Sequence, residues 1–128
     1  MTRQLGLATM VMVLMGAGGL YAQTARTAPM MREKLVHSQR VLEALTTSNF
    51  DMLVRESAAL ARIADSPRWA DLKTRELRIQ TDAFLKAVAD LAAASKRRDL
   101  DGAAAVYSTM VTTCYQCHKR LKDTRIAR

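Results

Sequence analysis

Cys114, Cys117 and His118 stand in a Cys-x-x-Cys-His run, Cys114-Tyr115-Gln116-Cys117-His118, near the end of the chain. They account for both cysteines in 128 residues, and the only other histidine is His37. Random ordering of this composition gives such a run roughly two times in ten thousand, so the spacing carries meaning. Thiols three residues apart on a helix lie about one turn from each other and can reach the same porphyrin edge, each forming a thioether with a vinyl group. The imidazole next in sequence, about 100° further round, is an iron ligand. The run therefore predicts one covalent c-type haem, tethered by Cys114 and Cys117 and held at its iron by His118. Two other readings exist for the cysteine pair. A disulfide or dithiol redox pair lacks a βαβ context, and a zinc site lacks a second Cys/His pair.

The elements that must position this run begin after a distinct N-terminal stretch. Arg3 is followed by an uncharged run from Gln4 to Ala25 with its apolar heart at Leu5–Met15. Gly16, Gly18 and Gly19 then precede Leu20-Tyr21-Ala22. This is the pattern of a secretory signal, residues 1–22, leaving 23–128 as one domain exported to the periplasm. Retention of the run as a membrane anchor is the competing reading, because it is nearly long enough to span a bilayer. Export suits the cysteines, since an oxidising compartment would close a lone thiol pair unless haem took both sulfurs.

Residues 23–128 keep 19 Lys+Arg against 12 Asp+Glu, a net +7. Such an excess suits an acidic redox partner protein or anionic headgroups, although the alternation of sign points first to a solubilising surface. Few aromatics and an exported chain argue against nucleic acid. A membrane enters only if the N-terminal segment is retained.

From Pro29 onward the sequence favours helix formers and contains one glycine, Gly102. The spacing predicts four helices. The first runs from Pro29 to about Thr46, with Met31, Leu35, Leu42 and Leu45 on an inward stripe within about 40° of Met31. Ser48 with Asp51 resembles a capping box for a second helix, 49–65, carrying Phe50, Leu53, Leu60 and Ala64. Ser66-Pro67 and Trp69 punctuate the chain. A third helix, about 71–97, turns Leu77, Phe84, Val88 and Leu91 inward. Asp99 caps a fourth that continues through Tyr107, Met110, Val111 and Cys114 to about Thr124. Short connections imply an all-α, antiparallel up-down-up-down four-helix bundle. That topology brings the start of helix one, with Met31, to the end where His118 lies, together with the 66–70 corner. Met31 is then either the sixth iron ligand or an ordinary core methionine. Met30 and His37 fall off the predicted stripe, and His37 reads as a surface histidine. Trp69 packs on a haem edge or plugs the corner, and Arg68, Lys73 and Arg75 are near enough in sequence to pair with propionates.

A chain with this organisation and one such run near its C-terminus resembles the cytochrome c-prime family and its low-spin relatives. The resemblance covers about residues 29–124 and rests on Met31-Arg32-Glu33-Lys34-Leu35, Asn49-Phe50-Asp51 and the Cys114–His118 run. It implies a bacterial periplasmic haem protein. In low-spin, electron-transferring members the haem-facing position of helix one is an axial methionine, best matched here by Met31. In high-spin members that position does not ligate, and the open face binds nitric oxide or carbon monoxide. High-spin members often carry an aromatic and then a basic residue three and four places after the histidine, where this chain has Leu121 and Lys122. Related bundles often form homodimers, but no uninterrupted extra apolar face is evident in this sequence. The expected activity is single-electron transfer by a His/Met haem, with no enzyme chemistry. A five-coordinate gas binder is the alternative, and a zinc or dithiol interaction domain a distant third.

Overall fold

The computed structural model describes residues 27–67 and 75–126, with side chains through 123. Within these residues the chain is all-helical, with four helices and no strand. We label them α1 (27–46), α2 (Phe50–Ala64), α3 (Arg75–Lys96) and α4 (Leu100–Ile126). The chain divides after Arg32, and the packing described below belongs to the second unit, Glu33–Arg128. The signal segment 1–22, Arg68, Trp69, Lys73 and the expected start of helix three at Asp71 lie outside the described residues. No described helix is long and apolar enough to cross a membrane.

Two short turns join the helices by the same device. At the end of α1 the Ser48 amide donates to the Leu45 carbonyl at 3.2 Å and the Asn49 amide to the Ala44 carbonyl at 2.8 Å. At the end of α3 Arg98 donates to Ser95 at 3.0 Å and Asp99 to Ala94 at 3.0 Å. Both are Schellman closures, with Ser48 (φ 53°) and Arg98 (φ 58°) at the left-handed position. The next residue in each case caps the following helix. Asn49 Oδ1 accepts from the Met52 amide at 3.0 Å, and Asp99 Oδ1 from the Gly102 amide at 2.8 Å. The predicted Ser48 cap is therefore displaced by one residue, because Ser48 is occupied in terminating α1. Gly102 has a local reason as well: a Cβ there would collide with the Asp99 carboxylate that caps α4.

The left-handed conformation costs an ordinary residue roughly 1–2 kcal/mol, and glycine's extra freedom in the unfolded chain offsets part of the gain from replacing it. Ser48→Gly is expected to add about 0.5–1 kcal/mol of stability. The reading is a higher urea midpoint at unchanged slope. An unchanged or lower midpoint would count against this account of the turn.

α3 packs against both α2 and α4. Leu53 and Leu60 from α2, Phe84, Val88 and Leu91 from α3 and Met110 from α4 form the buried centre, with Val41 from α1. Ala44, Ala64, Ala87, Ala94 and Ala103 are buried among them, small enough to let the helix backbones approach. Ser57 and Ser95, also buried, return their hydroxyls to the Leu53 and Leu91 carbonyls at 2.7 Å each. These helical bonds satisfy them without a partner from another element.

α1 departs from expectation. Its buried positions are Met30, Lys34, Val41, Ala44 and Leu45, with His37 half-buried on the same side. Leu35 and Leu42, expected inside, are 57% and 49% exposed, and Met31 is half-buried. The inward face is thus turned by roughly 90° from the predicted stripe, about one residue of helix rotation. The cause is polar: the true face runs through Lys34 and His37, which an apolar count leaves outside. Leu35 and Leu42 consequently stand exposed on one face of α1, with Val36 exposed about 100° round the helix.

Candidate functional site

Three contacts join α1 to the other helices and define the neighbourhood of the cysteine run. Toward α2, His37 Nδ1 lies 2.6 Å from Glu56 Oε2. Toward α3, the Lys34 ammonium sits 3.4 Å from the centroid of the Phe84 ring. Toward α4, the Tyr107 hydroxyl donates to the Ser38 carbonyl at 3.2 Å. His37 is therefore no surface histidine. Burial of the Glu56 carboxylate is tolerated because the imidazole meets it directly.

Cys114 and Cys117 are free thiols on α4, both half-buried, and Cys114 packs against the central apolar cluster. His118 is exposed one position on, as is Tyr115. The α4 sequence explains this arrangement. Ala103, Met110 and Thr113 are its buried positions, and Cys114 and Cys117 follow at the border of that face. Thr113 returns its hydroxyl to the Met110 carbonyl at 2.7 Å, which satisfies its own polar group beside the thiols.

Lys34 is the residue of α1 that stands electrostatically close to both cysteines. Burial pushes its amine below the ordinary lysine range, while Cys114 and Cys117 pull it back up. Burial pushes the Cys117 thiol up, and the Lys34 charge opposes that shift. The Tyr107 phenol is raised by burial first and by Cys114 second. Lys34, buried against Phe84, and the two cysteines thus influence one another's charge. One turn before Phe84 on α3, the Gln80 side-chain oxygen is buried with no hydrogen-bond partner. An orphaned acceptor costs free energy unless a further group completes the site.

These residues fit a tethered porphyrin. Two cysteines stand one turn apart at the border of the core, an exposed imidazole follows them, and the Lys34 charge acts on both sulfurs. Among the described residues no group of three or more His, Cys, Asp or Glu gathers where it could hold a metal ion by itself. Met31 falls in the other unit, Met1–Arg32, so its pairing with His118 stays an expectation from the sequence. Arg75 is exposed at the start of α3. Leu121 is half-buried and Lys122 exposed.

Sequence reasoning missed Lys34, Gln80 and Glu56 as neighbours of this region. For Lys34 a signal was available: it lies four residues after Met30 and seven before Val41, in register with both. Comparison with protein-family models, curated proteins and solved structures finds no match to this chain.

Proposed function

We propose that this chain is an exported, periplasmic monohaem c-type cytochrome that carries single electrons. Cys114 and Cys117 hold the haem by thioethers, His118 is the proximal ligand and Met31 the distal one. Bound there, the haem would supply a one-electron couple, and ligation by His118 and Met31 would favour electron transfer at a raised potential over ligand activation. The observation that carries this reading is the Cys114–His118 run on α4, with both cysteines half-buried and the imidazole exposed. An antiparallel up-down-up-down bundle is part of the proposal. In its support, Ser38 is level with Tyr107, while Lys34, one turn earlier on α1, is level with Cys114 and Cys117, later on α4. The two helices then run in opposite senses. The protein's part is to bury one haem face and choose its ligands, and no acid–base pair is assigned. The basic surface suits an acidic redox partner, and the exposed Leu35 and Leu42 suit pairing of two copies.

One observation favours a second reading, a five-coordinate protein that binds nitric oxide or carbon monoxide. Met31 is only half-buried and lies off the face of α1 that passes through Lys34. An absorption spectrum of protein made with haem-maturation machinery separates the two. Low-spin ferrous bands that resist carbon monoxide, with a weak methionine–iron charge-transfer band in the ferric form, are expected. A high-spin spectrum that shifts fully with carbon monoxide would replace the first reading by the second. Absence of a Soret band would remove both.

A further inference from the structure

Lys34 is an unusual residue to find inside a small helical protein. It is 9% exposed, its ammonium lies 3.4 Å from the Phe84 centroid, and the two cysteines of α4 act on its charge. Lysine normally lays its methylene stem along an apolar surface and returns its charge to water. Here the charge goes inward, where attraction to the face of an aromatic ring is worth more than at the surface. Other charged groups on the packed helices include two carboxylates with partners of their own. Glu56 is engaged with His37, and Asp90 with Lys86 on the outer side of α3. A group bonded to Cys114 and Cys117 would feel the Lys34 charge as these sulfurs do.

We propose that the Lys34 ammonium remains buried beside the tethered haem and, as a fixed positive charge, favours the reduced state of the iron. This rests on the haem reading above. Reduction by one electron from a partner protein takes Fe(III) to Fe(II) and removes one positive charge from the site. A neighbouring cation therefore repels the oxidised state more than the reduced one. The repulsion is strong because the space is partly dehydrated and the effective dielectric low. Phe84 holds the ammonium in place, so the charge is present before reduction and needs no movement. Lys34 is a positioning and electrostatic residue here and does not ligate the iron.

Three measurements on the haem-loaded protein test this. In potentiometric titration, Lys34→Met, which keeps the length and removes the charge, is expected to lower the equilibrium constant for reduction about tenfold, ~59 mV for one electron. Lys34→Arg is expected to restore most of it. Both variants are expected to keep the parent's axial-ligand spectrum. An unchanged potential in Lys34→Met, or an equal fall in Lys34→Arg, would overturn the proposal, the second because it points to packing. The third measurement needs no variant. Limited acetylation followed by peptide mass spectrometry is expected to leave Lys34 the slowest lysine, well behind the exposed Lys86. Equal rates would show that haem drives Lys34 into solvent, and would overturn the proposal even if the variants failed to fold. A chain that carries no covalent haem at all would instead remove the reading on which this rests, and the haem assay made first distinguishes that failure.

Discussion

Alanine at both Cys114 and Cys117 is expected to abolish covalent haem and to leave the four helices standing. The two effects separate by magnitude. Each thiol is half-buried, and Cys114 alone touches the central cluster, so truncation removes little apolar contact. A loss of about 0.5–1 kcal/mol per site follows from the area involved. That is small beside the several kcal/mol that a domain of this size has in hand. The thioethers have no substitute, because the chain contains no other cysteine. Haem staining after denaturing electrophoresis should therefore go from full to none, while far-UV circular dichroism stays helical. Each single variant should keep one bond and stain, with a red-shifted haemochrome from the remaining free vinyl. Haem surviving acid–acetone extraction in the double variant would defeat the assignment of these sulfurs.

The helices were legible because their ends carry local chemistry. Asp99 caps α4 as its sequence implies, and the apolar residues of α2 and α3, Leu53, Leu60, Phe84, Val88 and Leu91, fall inward on a 3.6-residue period. The displaced cap at Asn49 shows the limit of reading one helix at a time. Ser48 is a good capping residue, but the chain needs it in the left-handed position that closes α1. Asn49 then has the side chain free to cap α2. Termination of one helix and initiation of the next compete for the same residues, and the backbone closure wins.

The face of α1 was illegible for a different reason. An apolar count selects Met31, Leu35 and Leu42, and the protein instead buries Lys34 and half-buries His37. Each polar residue is admitted by a partner on another helix, Phe84 for the ammonium and Glu56 for the imidazole. Those partners lie 50 and 19 positions away, beyond anything local periodicity can register. Polar side chains on an inward face are expected where a fold serves a site as well as its own stability. Of the two, Lys34 stands at the level of the cysteines and His37 about one turn further along α1. The Cys114–His118 run was readable at once because its chemistry is contiguous, whereas the rest of its environment is assembled from three helices.

The same rotation of α1 makes replacement of Met31 the more demanding experiment. On the proposed ligation, Met31→Ala is expected to convert a low-spin spectrum to a high-spin one and to admit carbon monoxide fully. Neither His37 nor Met30 is expected to take its place. His37 has one ring nitrogen committed to Glu56, and Met30 is buried on a neighbouring face of the helix. A ligand bond either exists or does not, so conversion should be complete, and the potential should fall with loss of the thioether ligand. Truncating a half-buried methionine costs less than the roughly 2–5 kcal/mol of a fully buried one, so the helical fold should remain for the measurement. Met30→Ala and His37→Ala serve as controls that leave the spectrum low-spin. Conversion by Met30→Ala alone would move the ligand by one residue, in the direction in which the inward face of α1 is turned. Conversion by His37→Ala alone would make the site bis-histidine and Glu56 its orienting carboxylate. A parent protein that is high-spin from the outset, unchanged by all three substitutions, would leave the distal side open and turn the function from carrying electrons to binding a diatomic gas.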